Sequence, residues 1–600
     1  MTTANQDSGA RILIFNYTGF PDYTSYFLAD NGIAYLASCL QADGHQVVIA
    51  DYVTPDTAQR LFHPIVAEKV PGLRRRVRAE TIEFGSPRPG TLEEAFATDE
   101  VIDDLNRGVA LEIADELTET IRARRINLLA VKLWSQPSIR DVRAILTVLR
   151  ERFPDLRIIA GGGHIDYFQQ RVLSDFTMLD AAGIGDGEVA LRGFAAWVAG
   201  RIPDRSDVPN LIYRDHQAIR TTRQGENTAF ADSAIFPNFD AGTYPAAAAA
   251  DQKMLTIPFE DSRGCQFSCG FCIHPIKSGG LRLRRVEHVL DELQYLNERY
   301  GFINFTGSGS NTPFSHACKL YQGMRDRGLD LAVNFFQSLR DFRINKADAM
   351  KAAHIPLLWV GIETAEQDLL QITYDKRRDM DKTRQVCEFL NEHRIGYIMS
   401  LIYPSPGESA WSRQATIDFV REVGLGHVVV YPPLLQPRTP WMHHKDITWL
   451  DRELFLSVSQ SGLEELENRV LPPMVRSAEL NASVLMNGKP YRQIYYESLL
   501  FRHHLDIVCG GDRGYKREFH FTDELAPFMR QLNDSFGVVD ECLETGDFDR
   551  ARASLADFNE LATAGSVHRT RLIASERTRM ARIPSQPGVH KVVIRSGGPA

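Results

Sequence analysis

The sequence predicts an α/β protein in three parts. An N-terminal Rossmann-like doubly wound parallel sheet precedes a central TIM-like partial β/α barrel, and a mainly helical C-terminal region follows. Three observations predict this. From about residue 10 to 200, short apolar runs alternate with amphipathic segments, the rhythm of parallel strands joined by crossover helices. A second series of such units occupies residues 253–450 and opens on three closely spaced cysteines. Beyond residue 451 strand signals fade and helical spacing dominates, most clearly over 454–470 and 538–561.

In the first part (1–200), Ile12-Leu-Ile-Phe15 is an apolar run bounded by a polar loop, which reads as a strand buried on both faces. Helical character from Gly32 to Ala42, then strands over Val47–Ala50, Leu128–Val131 and Ile158–Ala160, continue the alternation. Val142, Ile145, Leu146 and Leu149 recur on one helical face. Ligands of such sheets sit at the carboxyl ends of the strands. Those ends carry loops rich in glycine, hydroxyls and aromatics: residues 16–30, Lys132–Ser138, Gly161–Asp166 and Gly185–Glu188. Their spacing does not match the dinucleotide fingerprint G-x-G-x-x-G followed by a distant acid. Residues 55–125 break the rhythm with Arg74-Arg-Arg76 and acids from Asp99 to Asp104, which read either as a cap over a ligand or as a solvated charge cluster.

A linker is expected over 201–252, with a short hairpin at 202–213. In the barrel (253–450), strands are expected at Leu255–Phe259, Ile303–Phe305, Leu331–Phe335, Leu357–Ile362, Tyr397–Ile402 and His427–Tyr431. The C-terminal region (451–600) bears no motif. Its histidine pair His503-His504 and the earlier His443-His444 read as ordinary core or surface residues, and its role is expected to be closing the barrel mouth over a substrate. The last residues, Pro584 to Ala600, have a disorder-prone composition.

Net charge of −9 argues against nucleic acid or an anionic membrane as partner. No apolar run approaches a membrane span and no signal-peptide pattern opens the chain, so a cytoplasmic location is expected. Of eight cysteines, five are scattered (Cys39, Cys318, Cys387, Cys509, Cys542) and read as small buried hydrophobes in a reducing compartment.

The remaining three define the chemistry. Cys265, Cys269 and Cys272 lie at C-x₃-C-x₂-C spacing directly after the first barrel strand. Thiolates are soft ligands that select iron–sulfur clusters or zinc. Structural zinc takes four ligands, usually from two cysteine pairs. No second pair follows, and His274, two residues after Cys272, closes a tetrahedron poorly. A [4Fe–4S] cube on three cysteines leaves one iron open for a small molecule.

This motif, with Phe271 just before its last cysteine, resembles the signature of the radical S-adenosylmethionine (SAM) family, and a Rossmann-like domain ahead of it resembles the cobalamin-dependent subclass. The resemblance implies that Cys265, Cys269 and Cys272 hold a [4Fe–4S] cluster whose open iron takes SAM. It implies SAM contacts from Phe271, from Gly307, Ser308 and Gly309 (which depart from the family's G-G-E), from Arg340 and from Glu363. Pro404-Ser-Pro-Gly-Glu408 is similar to the family's F-P-G-E turn. Cobalamin contacts are implied for Tyr17, Thr18, Ser135, Gly161, Gly162, Gly163, His164, Gly185, Gly187 and Glu188. The D-x-H-x-x-G motif is absent, so no histidine of that kind is implied on the cobalt. A Rossmann-like domain with no ligand is the plainer alternative.

The implied reaction is C-methylation of a small metabolite or peptide precursor, as in natural-product pathways. One SAM yields a hydrogen-abstracting radical after an external one-electron reductant of flavodoxin or ferredoxin type reduces the cluster; a second SAM methylates cobalamin. Alternatives are non-radical methylation of a tryptophan-like carbon, a radical cyclase or rearrangement enzyme, and, outside enzymes, an iron–sulfur electron-transfer protein. No catalytic residue beyond the cofactor contacts is identified.

Overall fold

The computed structural model describes residues 9–580 apart from 22, 134–137, 226–229, 231–232, 310, 377–378, 424–426, 460–468 and 509–522. Seven strands form the first sheet: β1 (Arg11–Asn16), β2 (Gln46–Asp51), β3 (Leu128–Lys132), β4 (Arg157–Gly161), β5 (Ala181–Gly183), β6 (Leu211–Asp215) and β7 (Ala218–Thr221). Their order is β2-β1-β3-β4-β5-β6-β7, with β1 to β5 parallel and β6 and β7 antiparallel. Ile12 and Leu13 point to opposite faces and both are fully buried, as are Leu128 and Leu129, because helices cover both sides. The chain order reverses at β1, so the connections leaving the paired strands β1 and β3 part there and open a crevice at their carboxyl ends. The hairpin expected at 202–213 forms later, at β6–β7. Asn210, at φ 58°, makes the turn before Leu211 and Ile212 enter the core. The sheet therefore runs into the stretch read as linker.

Residues 55–125 are three helices, Pro55–Leu61, Pro64–Phe84 and Pro89–Arg124. The acids on the last divide: Glu100 and Asp104 are exposed, while Asp99 and Asp103 are engaged by the C-terminal region. Asp99 is fully buried and accepts the Val470 and Leu471 N–H groups at 2.7 and 3.2 Å, while Arg476 reaches Asp103 at 3.2 Å. Asp506, on the helix Tyr491–Val508, meets Arg78 of the second helix at 3.5 Å. The inserted helices are thus docked on the C-terminal region.

The central domain runs through β8 (Ile257–Phe259), β9 (Ser262–Arg263), β10 (Arg282–Leu283), β11 (Asn304–Gly307), β12 (Ala332–Asn334), β13 (Phe336–Gln337), β14 (Leu358–Glu363), β15 (Tyr397–Ile402) and β16 (His427–Tyr431). Two parallel sheets, β12-β11-β8 and β13-β14-β15-β16, continue one another because only Phe335 separates β12 from β13. Leu358, Val360 and Ile362 alternate into the helix-covered core, as a barrel strand requires. Tyr403 at the end of β15 stacks on Phe501 at 4.0 Å between ring centroids, which seats the helix Tyr491–Val508 beside the barrel. Among the described residues no helix is long and apolar enough to cross a membrane.

Candidate active site

The cysteine loop is closed at its base by β9 and β10, paired antiparallel with Arg263 opposite Arg282. Gly264 turns the chain there at φ +72°, and a Cβ on it would lie 2.3 Å from the Gly280 carbonyl oxygen, so only glycine fits. The loop's far side is pinned by Gly270, whose N–H donates to Tyr374 O (3.1 Å) and whose carbonyl accepts from the Trp441 N–H (2.9 Å). Phe271 packs on Tyr374 and Trp441, each at 5.7 Å between centroids.

Burial, reinforced by the nearby Cys269 and Cys265 thiols, pushes the Cys272 thiol up to about 12. The three cysteines sit on one loop within eight residues of each other. Among the described residues, no three His, Cys, Asp or Glu side chains converge on a single-ion site. A four-iron cube distributes its thiolates over three different irons, so it needs a shared space and not a shared point; the donor set fits such a cluster.

A cavity of about 730 Å³ lies between this loop and the carboxyl ends of the first sheet. Gly161, Gly162, Gly185, Gly187 and Glu188 line one wall, and Ser262, Arg263, Gly264, His274 and Ser308 the other. Thr18 lines it too, with a buried hydroxyl that has no partner among the described residues, as does Asn16, whose Oδ1 is equally unpartnered. Asn16 Nδ2 is bonded to Asp51, and Lys253, 1% exposed, places Nζ 2.9 Å from the same carboxylate under the floor. Side chains at the glycines would fill this space or collide with its frame: a Cβ on Gly162 would come 2.5 Å from the Leu133 carbonyl oxygen. A glycine-walled cavity with unpartnered hydroxyl and amide groups fits a large cofactor rich in hydrogen-bonding groups, such as a corrinoid.

Not every residue implied for that cofactor reaches the cavity. Tyr17 stacks on Phe15 and its hydroxyl meets Asp141 at 3.4 Å. Gly163 is buried at the start of a short helix. His164 is fully buried against Phe168 and Phe176, and burial drops its pKa to about 3, so it is a neutral core residue. In the loop just past β1, Thr18 lines the cavity while Tyr17 does not. Ser135 lies outside the described residues.

Around the cysteine loop, Gly309 fits tightly, since a Cβ there would lie 2.4 Å from Ser262 Oγ. Gly307 abuts Phe335, and Ser308 Oγ donates to Phe259 O at 2.9 Å, which commits that hydroxyl to the barrel frame. Arg340 is exposed, its guanidinium 4.9 Å from the Phe267 ring on the cysteine loop. Glu363, at φ 63°, is buried and accepts from Lys376 Nζ at 2.5 Å; a Cβ on Gly361 would lie 2.5 Å from that carboxylate and displace it. In the Pro404–Glu408 turn, Glu408 accepts from Ser405 Oγ at 2.9 Å and from Ser412, a role within the turn. His444 Nδ1 accepts the Asp446 N–H.

Three residues escape sequence reasoning. Lys376 pairs with Glu363 and faces the Phe271 ring at 5.7 Å. Asp261 is fully buried, neither carboxylate oxygen has a partner among the described residues, and burial lifts its pKa to about 6. Arg263 meets Asp186, Glu188 and Glu260 at 3.2, 2.6 and 2.5 Å. For Asp261 and Arg263 the one signal was closeness in sequence to the cysteines, and for Lys376 there was none.

Residues 259–420 match the Radical SAM superfamily model. The chain is also similar in sequence to two methyltransferases and a cyclase. It is 23% identical over 297 residues to an uncharacterized methyltransferase of Pyrococcus horikoshii, covering 48% of this chain and 62% of that protein. It is 24% identical over 327 residues to the cobalamin-dependent radical SAM methyltransferase TokK of Streptomyces tokunonensis, covering 52% and 46%. An anaerobic magnesium-protoporphyrin IX monomethyl ester cyclase of Cereibacter sphaeroides is 26% identical over 428 residues, covering 69% and 67%. The chain spans about half the length of the two methyltransferases. Its fold is that of the cobalamin-dependent radical SAM enzymes. The radical SAM methyltransferase TsrM of Kitasatospora setae, solved with cobalamin and a [4Fe-4S] cluster, superposes with a TM-score of 0.56 at 16% identity over 92% of this chain and 99% of its own. The cobalamin-dependent radical enzyme OxsB, solved with aqua-cobalamin and SAM, gives 0.53 at 12% identity over 95% and 75%.

Proposed function

We propose that the chain is a cobalamin-dependent radical SAM C-methyltransferase acting on a carbon of a small metabolite or peptide precursor in natural-product biosynthesis, with an external one-electron reductant as partner. The observation that carries this reading is the cavity itself: one wall is the glycine-rich strand ends of the first sheet, and the other is the base of the cysteine loop. When bound, cluster, SAM and corrinoid would supply one-electron chemistry and a transferable methyl group.

The chain's own residues hold and orient. Cys265, Cys269 and Cys272 would hold the cluster, and Gly161, Gly162 and Gly185 let backbone approach the corrinoid closely. Thr18 and Asn16 offer it hydrogen bonds that nothing else satisfies. Glu363, fixed by Lys376 at a strand end, can accept from hydroxyls such as those of a ribose. The helix 491–508 packs on the barrel beside β16, and the helix 64–84 packs on it from outside.

The indole-methylating alternative is not favoured: the likeness to TsrM, also solved with tryptophan, is one of fold at 17% identity. A second reading, a radical cyclase, has one observation behind it, the alignment to the protoporphyrin ester cyclase over two thirds of each chain.

The test is iron and corrinoid content of anaerobically purified protein, followed by SAM product analysis. The methyltransferase reading expects about four irons and one corrinoid per chain, and both 5′-deoxyadenosine and S-adenosylhomocysteine. Deoxyadenosine without homocysteine product supports the cyclase. Protein that takes up iron but no added hydroxocobalamin refutes both corrinoid readings, and absence of SAM cleavage would return the chain to electron transfer.

A further inference from the structure

The proposed reaction places demands on distance that neither domain meets alone. A methyl group held by one domain must reach a carbon activated at the other, and misplacement by about 1 Å costs on the order of a hundredfold in rate. Some contact must therefore set the cysteine loop in register with the strand-end loops across the cavity.

The structure offers one such contact at the base of the cysteine loop. Residues 264–281 leave the barrel at Arg263 and return at Arg282, which are paired across the hairpin. Both arginines turn to the same carboxylate on the opposite wall. Arg282 donates to Asp186 at 2.7 Å, and Arg263 lies 3.2 Å from it. Arg263 also donates to Glu188 at 2.6 Å and to Glu260, on its own domain, at 2.5 Å. Asp186 and Glu188 belong to the Gly185–Glu188 loop that lines the cavity. The side chains of Arg263, Asp186 and Glu188 are only 12%, 12% and 7% exposed, so water weakens these contacts little. Phe230 lies against both guanidinium groups, 4.3 Å from Arg263 and 5.8 Å from Arg282. Two cations face three carboxylates, so the group is held by mutual need, and a forked guanidinium fixes direction as well as distance.

Resting on the functional reading above, we propose that Arg263, supported by Arg282, is a positioning residue that sets the cluster loop in register with the corrinoid loop through Asp186 and Glu188. It touches neither reacting atom; it fixes the separation of the two cofactors. The loop's far side is pinned within the barrel part of the chain by Gly270 on Tyr374 and Trp441, and Arg263 and Arg282 tie its base to the strand-end loop across the cavity.

The test is a distance measurement on full-length protein carrying a reconstituted cluster and hydroxocobalamin. With the cluster reduced and the cobalt in its paramagnetic Co(II) state, pulsed electron paramagnetic resonance reads the spin–spin separation directly. Wild-type protein is expected to give a single narrow distance. Arg263→Gln is expected to lose it, giving a broad distribution, with iron and corrinoid stoichiometry retained. Should that variant fail to fold, Arg282→Gln, whose side chain is 32% exposed and reaches only Asp186 among the carboxylates, carries the same expectation. A purely structural salt bridge would lower the unfolding temperature without spreading the distance. An unchanged narrow distribution in folded variants overturns the proposal, as does a broad one in wild type. Absence of any corrinoid uptake by wild type overturns the functional reading, and the proposal with it.

Discussion

Two adjacent glycines at the end of β4 are expected to respond oppositely to the same added methyl group. Gly162 sits at φ 110°, ψ 177°, a region that only glycine occupies at ease, and its Cβ would lie 2.5 Å from a backbone oxygen of Leu133. The conformation alone costs about 1–3 kcal/mol for alanine. At about 2–4 °C per kcal/mol for a domain of this size, Gly162→Ala should lower the unfolding midpoint of the N-terminal domain by about 2–12 °C. Gly161 lines the cavity with ordinary backbone, and nothing lies within 4 Å of its would-be Cβ. Gly161→Ala should leave the midpoint unchanged, while its methyl group occupies space meant for ligand and weakens hydroxocobalamin binding about tenfold, about 1.4 kcal/mol. Thermal melts of ligand-free protein and an absorbance titration separate the two effects. A Gly161→Ala protein that binds hydroxocobalamin as tightly as wild type would remove that wall from the site, and an undisturbed melt for Gly162→Ala would refute the strain argument.

Replacing Cys265, Cys269 and Cys272 together by alanine should reduce bound iron after reconstitution to background; retained iron would refute the cluster assignment. Lys376→Met strands the buried Glu363 carboxylate and should cost about 3–5 kcal/mol in denaturant unfolding, most of it recovered when Glu363→Gln is added; a single variant as stable as wild type disproves the pairing. Asp261 titrates near 6 when folded against an ordinary 3.8, so the folded state binds its proton more tightly. Its contribution is present at low pH and is lost as pH rises from about 4 to 6, about 3 kcal/mol in all. Asp261→Asn should therefore gain stability relative to wild type across that window, and parallel pH profiles for the two proteins would contradict it.

The parts of the site that were legible in the sequence are local. Three soft ligands within eight residues specify a cluster loop whatever surrounds them, and glycine runs at strand ends announce close approach of backbone to ligand. What stayed hidden depends on partners far along the chain. Arg263 finds Glu188 across 75 residues, and nothing near either predicts it. The long helix Pro89–Arg124 was hidden for another reason. Its buried face includes Thr91, Thr98, Asp99, Asn106 and Thr118, polar groups that blur the apolar period by which a helix is read. At Tyr17 and Thr18 the composition pointed to the right loop, but only the course of the chain beyond β1 decides which of two neighbours looks into the cavity.

The burial of Asp99 beneath the Val470 and Leu471 amides has a consequence for how this chain can be cut. The first sheet is not a bead on a string: its inserted helices are buttoned onto residues that follow the barrel, so both flanks of the chain embrace the barrel between them. Removing residues 1–200 would strip the Val470 and Leu471 amides of their Asp99 acceptor and take Asp103 away from Arg476, and the remainder would be a damaged protein and not a minimal barrel. Point changes in the cavity wall are therefore the sound way to dissect this molecule, and any exchange of its N-terminal part with a relative's must carry the matching C-terminal segment along.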